Sequence, residues 1–76
     1  MDLPQILGQN IRSWRKRSGM SQEELALDCG MKRSYVSDIE RGTRNPTIKA
    51  LARLADALEV EPEVLVRIKG AGGRTS

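Results

Sequence analysis

The stretch QEELALDCGMKRSYVSDIER, residues 22–41, decides the fold. Two helices that meet steeply through a short turn place strict demands on a few positions. Ala26 is small where such helices approach most closely, and Gly30 supplies the positive φ that turns the chain within about three residues. Val36 and Ile39 bring the second helix back to a common core, and Leu25 completes the inner face. Ser21-Gln-Glu-Glu24 opens the stretch as a capping box, in which the Ser21 hydroxyl accepts a free amide and Glu24 reaches back. Glu40-Arg41-Gly42 closes it. An Ala-x-x-x-Gly spacing is common by itself; its conjunction with the other features is specific.

Working outward, the spacing predicts three further helices. Ile6 or Leu7, Ile11 and Trp14 recur at helical intervals and place a helix at about residues 3–17, stopped by Ser18-Gly19. The pair of helices in the central stretch spans about 22–29 and 32–41. Thr47 is a good N-cap for a fourth helix at about 48–58, where Ile48, Leu51, Ala52, Leu54, Ala55 and Leu58 form a wide apolar face. Pro62 suits the first turn of a fifth at about 62–68. No alternating pattern suggests a strand. The expected architecture is all-α, a compact five-helix domain over residues 1–69 with a flexible tail at 70–76.

A chain of 76 residues holds one domain and a modest core. The single cysteine, Cys29, excludes an intramolecular disulfide and a CxxC metal cluster, and fits a reducing cytoplasm. Histidine is absent, which removes the commonest general base and metal ligand. No catalytic residue, metal site or cofactor is expected, and no membrane span is visible. The net charge of +3 is unevenly distributed. Arg12, Arg15, Lys16 and Arg17 against Asp2 leave residues 1–20 at +3, whereas five acids against three bases leave 21–42 at −2. Contact with a polyanion would rest on a few well-placed cations rather than on bulk charge.

Ser21 to Ala26, Gly30, Tyr35-Val-Ser-Asp-Ile-Glu-Arg-Gly42, Asn45-Pro-Thr47 and Leu51 to Leu58 together resemble the Cro/Xre phage-repressor family of DNA-binding domains, over about residues 5–68. Within it, a chain of this size with Arg44-Asn-Pro is similar to restriction–modification controller proteins. The resemblance implies a helix-turn-helix made by the second and third helices. It also implies a structural ion pair between Arg15 and Glu40, which occupy the positions of an Arg–Glu pair in that family.

A helix docked by its N-terminal end in the major groove offers its first exposed side chains to base edges. Here those are Lys32, Arg33, Ser34 and, one turn on, Ser37 and Asp38. Arg33 is the first choice as base reader, because a guanidinium pairs bidentately with a guanine edge. Asp38 can accept from a cytosine amine, orient Arg33, or repel some sequences. Phosphate contacts are expected from Gln22, Tyr35, Arg41, Thr43, Arg44 and Asn45. The plain readings stand beside these. Trp14 at core spacing reads as packing, Cys29 as a small buried hydrophobe, and Arg15-Lys16-Arg17 as a solvated face.

Val64, Leu65, Val66 and Ile68 are apolar at nearly successive positions, wider than one stripe. A second copy would cover the excess, with Val60, Val64, Leu65 and Ile68 as the dimer interface; the alternative is that they only close a small core. The leading function is a cytoplasmic, dimeric transcriptional regulator that binds a roughly palindromic operator in double-stranded DNA. The competing one is an antitoxin-type module that neutralises a partner protein. RNA polymerase or a toxin would be the further partner in the respective cases.

Overall fold

The computed structural model of the protein describes residues 2–68, which form five helices and no strand. They are α1 (Leu3–Arg17), α2 (Gln22–Cys29), α3 (Arg33–Glu40), α4 (Ile48–Leu58) and α5 (Pro62–Leu65). The expected tail at 70–76 lies outside the described residues.

Local chemistry sets most of the boundaries. Both halves of the capping box form: Glu24 N donates to Ser21 Oγ at 3.0 Å, and Ser21 N donates to Glu24 Oε1 at 2.8 Å. Gly30 closes α2 at φ 69°, and its turn lets Met31 N reach back to Ala26 O at 2.9 Å. Thr47 Oγ1 accepts Ala50 N at 3.0 Å and starts α4. The end of α4 departs from the usual chemistry, since Glu59 takes the left-handed conformation at φ 59° without being glycine.

The core is made by Leu7 and Ile11 of α1, Leu25, Ala26 and Cys29 of α2, Val36 and Ile39 of α3, Leu54, Ala55 and Leu58 of α4, and Leu65 of α5. One face of each helix therefore supplies the interior. Trp14 is half-buried against this cluster, with the Arg17 guanidinium 4.5 Å above its ring. Gly8 sets how closely α1 meets α3. A Cβ there would lie 2.3 Å from the Ile39 carbonyl oxygen and 2.7 Å from that of Glu40. The α1 backbone thus rests directly on the last turn of α3.

The fifth helix is shorter than the expected 62–68. It ends at Leu65, and Val66 leaves the helical region at φ −107°. Asn10, buried in α1, provides the reason: its Nδ2 donates to the carbonyls of Leu65 at 2.9 Å and Arg67 at 2.7 Å. A carbonyl so engaged draws the chain across α1 instead of onward as a helix. Leu65 itself is wholly enclosed by its own chain. The expectation that it lines a dimer interface is therefore corrected: Leu65 belongs to the core.

Candidate nucleic-acid interface

The sharp turn at Gly30 delivers Lys32 as the N-cap of α3 in an extended conformation, with no side chain bonded to the helix's first amides. Lys32, Arg33 and Ser34 are exposed at that end, and Ser37 and Asp38 are half-buried one turn on. Val36 and Ile39 are fully enclosed and fix the rotation of the helix. Hydrophobic anchoring of one face therefore dictates what the other presents. No hydrogen bond or ion pair among the described residues engages the side chains of Lys32 or Arg33.

The flank of this surface is a polar cluster at the end of α3 and in the loop after it. Asp38 Oδ1 is in contact with Arg41 Nη2, and its Oδ2 lies 3.8 Å from Arg44 Nη2. The Arg44 guanidinium also sits over the Tyr35 ring, 5.0 Å from its centroid. Thr43 donates twice to the Asp38 carbonyl, from its amide at 3.0 Å and its hydroxyl at 3.1 Å. Gly42, at φ 79° and close against Gln5, folds the loop back so that these residues meet. Arg41, Thr43 and Arg44 thus meet at Asp38, Tyr35 backs Arg44, and exposed Asn45 follows them. The spacing of Asp38 and Arg41 is legible as an i, i+3 pair; the Arg44–Tyr35 stack depends on the loop and has no local signal.

Behind this surface Arg15 donates to Glu40 through Nε at 2.6 Å and Nη2 at 3.1 Å, and to the Met20 carbonyl through Nη1 at 2.8 Å. Gln22 also spends its side chain here, with Nε2 donating to Glu40 Oε1 at 3.0 Å. The Gln22 side chain, expected at a phosphate, is thus engaged within the fold.

Of the residues expected at a dimer interface, Val60, Val64 and Ile68 are half-buried, unlike Leu65. Sequence reasoning missed a second apolar area. Leu3 is 50% exposed and Ile48 82% exposed, and with Pro4, Pro46, Leu51 and Val66 they line a shallow groove where the start of α1 meets the start of α4. Ile48 counts toward the apolar face of α4 in the sequence, but as the first residue of that helix it projects past the core. No helix among the described residues is long and apolar enough to cross a membrane.

Comparison with known proteins agrees with this geometry. Residues 11–65 match the model of a helix-turn-helix family. The control protein C.BamHI of Bacillus amyloliquefaciens is 45% identical over 62 residues, covering 80% of this chain and 76% of that protein. The crystal structure of the restriction–modification controller protein C.AhdI from Aeromonas hydrophila superposes with a TM-score of 0.80 at 44% identity, covering 82% of this chain and 94% of that one. SinR of Bacillus subtilis is 39% identical over 62 residues, 80% of this chain and 56% of that protein. A structure of SinR, a master regulator for biofilm formation, in complex with DNA superposes with a TM-score of 0.77, covering 80% of this chain and 98% of that one. With the turn, the exposed start of α3 and these relatives in hand, the chain belongs to the Cro/Xre-like helix-turn-helix family of DNA-binding transcriptional regulators.

Proposed function

We propose that this protein reads a specific double-stranded DNA operator by seating the start of α3 in the major groove, and that it does so as a homodimer. The observation that carries the reading is the open first turn of α3. Lys32, Arg33 and Ser34 project from it while Val36 and Ile39 hold the opposite face rigid. Arg33 is the base reader, with Ser34, Ser37 and Lys32 reaching bases or the nearest phosphates. Arg41, Thr43, Arg44, Asn45 and Tyr35 hold the flanking phosphates, joined by the backbone at Gln22. The domain is a binding protein rather than an enzyme, and it works in the cytoplasm.

A two-fold dimer would set two α3 helices about one DNA turn apart and make the operator roughly palindromic. The partly exposed Val60, Val64 and Ile68, and the apolar groove at Leu3 and Ile48, are the surfaces that favour self-association. Similarity to C.BamHI and C.AhdI favours a restriction–modification controller over an antitoxin. The test is selection from a random duplex library at physiological salt. An inverted repeat with half-sites about one helical turn apart is expected. Recovery of no motif from folded protein would overturn sequence-specific reading, and a single unrepeated half-site would overturn the dimer.

A further inference from the structure

We infer that Asp38 is an internal stand-in for a DNA phosphate, which holds Arg41 and Arg44 in the free protein and penalises binding to non-operator DNA. The inference rests on the DNA-reading function proposed above. Each carboxylate oxygen faces a different guanidinium, Oδ1 meeting Arg41 and Oδ2 meeting Arg44, as two oxygens of one phosphate would. The carboxylate is the sheltered partner: its side chain is 28% exposed, against 64% for Arg41 and 52% for Arg44. Thr43 pins the loop to the Asp38 carbonyl, and the Tyr35 ring backs Arg44, so the arrangement is held from several sides.

Exposed ion pairs contribute little to stability, so this cluster has small value as a fold-holding device. Its larger effect is electrostatic competition. A phosphate that recruits Arg41 and Arg44 must displace the carboxylate, which is left facing the polyanion. On operator DNA the displaced Asp38 can recover part of that loss, because it lies one turn into α3 where a cytosine amine is a suitable donor. On other sequences it recovers nothing. The carboxylate thus lowers affinity for both but more for the wrong DNA, which makes Asp38 a specificity-determining residue.

The test compares the intact protein with Asp38→Asn on the selected operator and on a scrambled duplex, across a salt series. Asp38→Asn should tighten binding to scrambled DNA about threefold to tenfold, with a salt slope steeper by up to about 0.9. Operator binding should change less, so the ratio between the two falls. With Arg41→Gln and Arg44→Gln already in place, Asp38→Asn should lose most of its effect, since no guanidinium remains to be released. Equal tightening on both duplexes, or an unchanged effect without the two arginines, would overturn the inference and leave Asp38 as a simple repulsive charge. Failure of the unmutated protein to prefer its operator would instead overturn the DNA-reading function, and this inference with it.

Discussion

Arg15 and Glu40 form a two-pronged ion pair, 2.6 Å at its shorter contact, buried between the last turn of α1 and the last turn of α3. Their side chains are 10% and 4% exposed. A carboxylate at the C-terminal end of a helix opposes the helix dipole, so Glu40 without Arg15 would be unfavourable twice over. Gln22 and the Met20 carbonyl complete the network, which ties α1, the start of α2 and α3 together. The pair therefore fixes the end of α3 against α1.

Removing one partner leaves a buried charge. Glu40→Gln or Arg15→Met should each cost about 3 kcal/mol in urea unfolding, and the variant carrying both less than the sum. Strict additivity would show that the two side chains are not energetically coupled.

Arg33 is exposed at the start of α3, clear of the polar cluster that occupies Arg41 and Arg44. Arg33→Ala should weaken operator binding by about 1–3 kcal/mol and barely affect scrambled DNA in fluorescence anisotropy. Equal losses on both would reassign Arg33 to the phosphates. Lys32→Ala is the contrasting variant, expected to weaken both duplexes alike.

Two backbone positions should respond in opposite directions. Gly8→Ala places a methyl group against α3 carbonyls that have no room to retreat, and should destabilise by about 3 kcal/mol. Glu59→Gly relieves the left-handed conformation of a residue with a side chain, and should stabilise by about 1 kcal/mol. Thermal unfolding of the two variants checks both, and a neutral Gly8→Ala would mean that α1 and α3 can separate at little cost.

Burial pushes the Cys29 thiol above its ordinary pKa, aided by the Asp28 and Asp56 carboxylates and opposed by Arg53. A raised folded pKa makes its contribution to stability full below the unfolded value, about 8.5, and lost as pH climbs through the folded one. Stability should therefore fall on the alkaline side, and Cys29→Ala should flatten that fall relative to the parent chain. An identical alkaline limb in both proteins would place the titration elsewhere. The same protonated, enclosed thiol should react with iodoacetamide much more slowly in the folded than in the unfolded chain.

The elements written in local chemistry were legible in the sequence. Ser21, Glu24, Gly30 and Thr47 act on neighbours three or four residues away, so α2, the turn and the start of α4 follow from their spacing alone. Val36 and Ile39 are enclosed as their spacing implies, and that determines which α3 side chains remain outside. Features made by distant contacts were not legible. Val64 to Ile68 carry no helical period that singles out the inward residue, so Leu65 could be distinguished from its neighbours only by packing. The short α5 depends on Asn10, more than fifty positions away. The meeting of Arg41 and Arg44 at Asp38, with Tyr35 under Arg44, likewise needs the loop to fold back at Gly42.

The Asn10 amide has one more consequence, for where this domain can be cut. Its two acceptors are the carbonyls of residues 65 and 67, and the helix that carries it also supplies Leu7 to the core and the close approach of Gly8 to α3. A fragment trimmed to 11–65, the span shared with the family model, would lose Asn10 and the first two turns of α1 together. Its last helix would lose the Asn10 hydrogen bonds and the Leu7 side of its seat, and keep the α4 side. A fragment running from the cap at Asp2 through Arg67 keeps both ends of that contact and is expected to unfold at a higher temperature than 11–65, because the two ends of the domain hold each other.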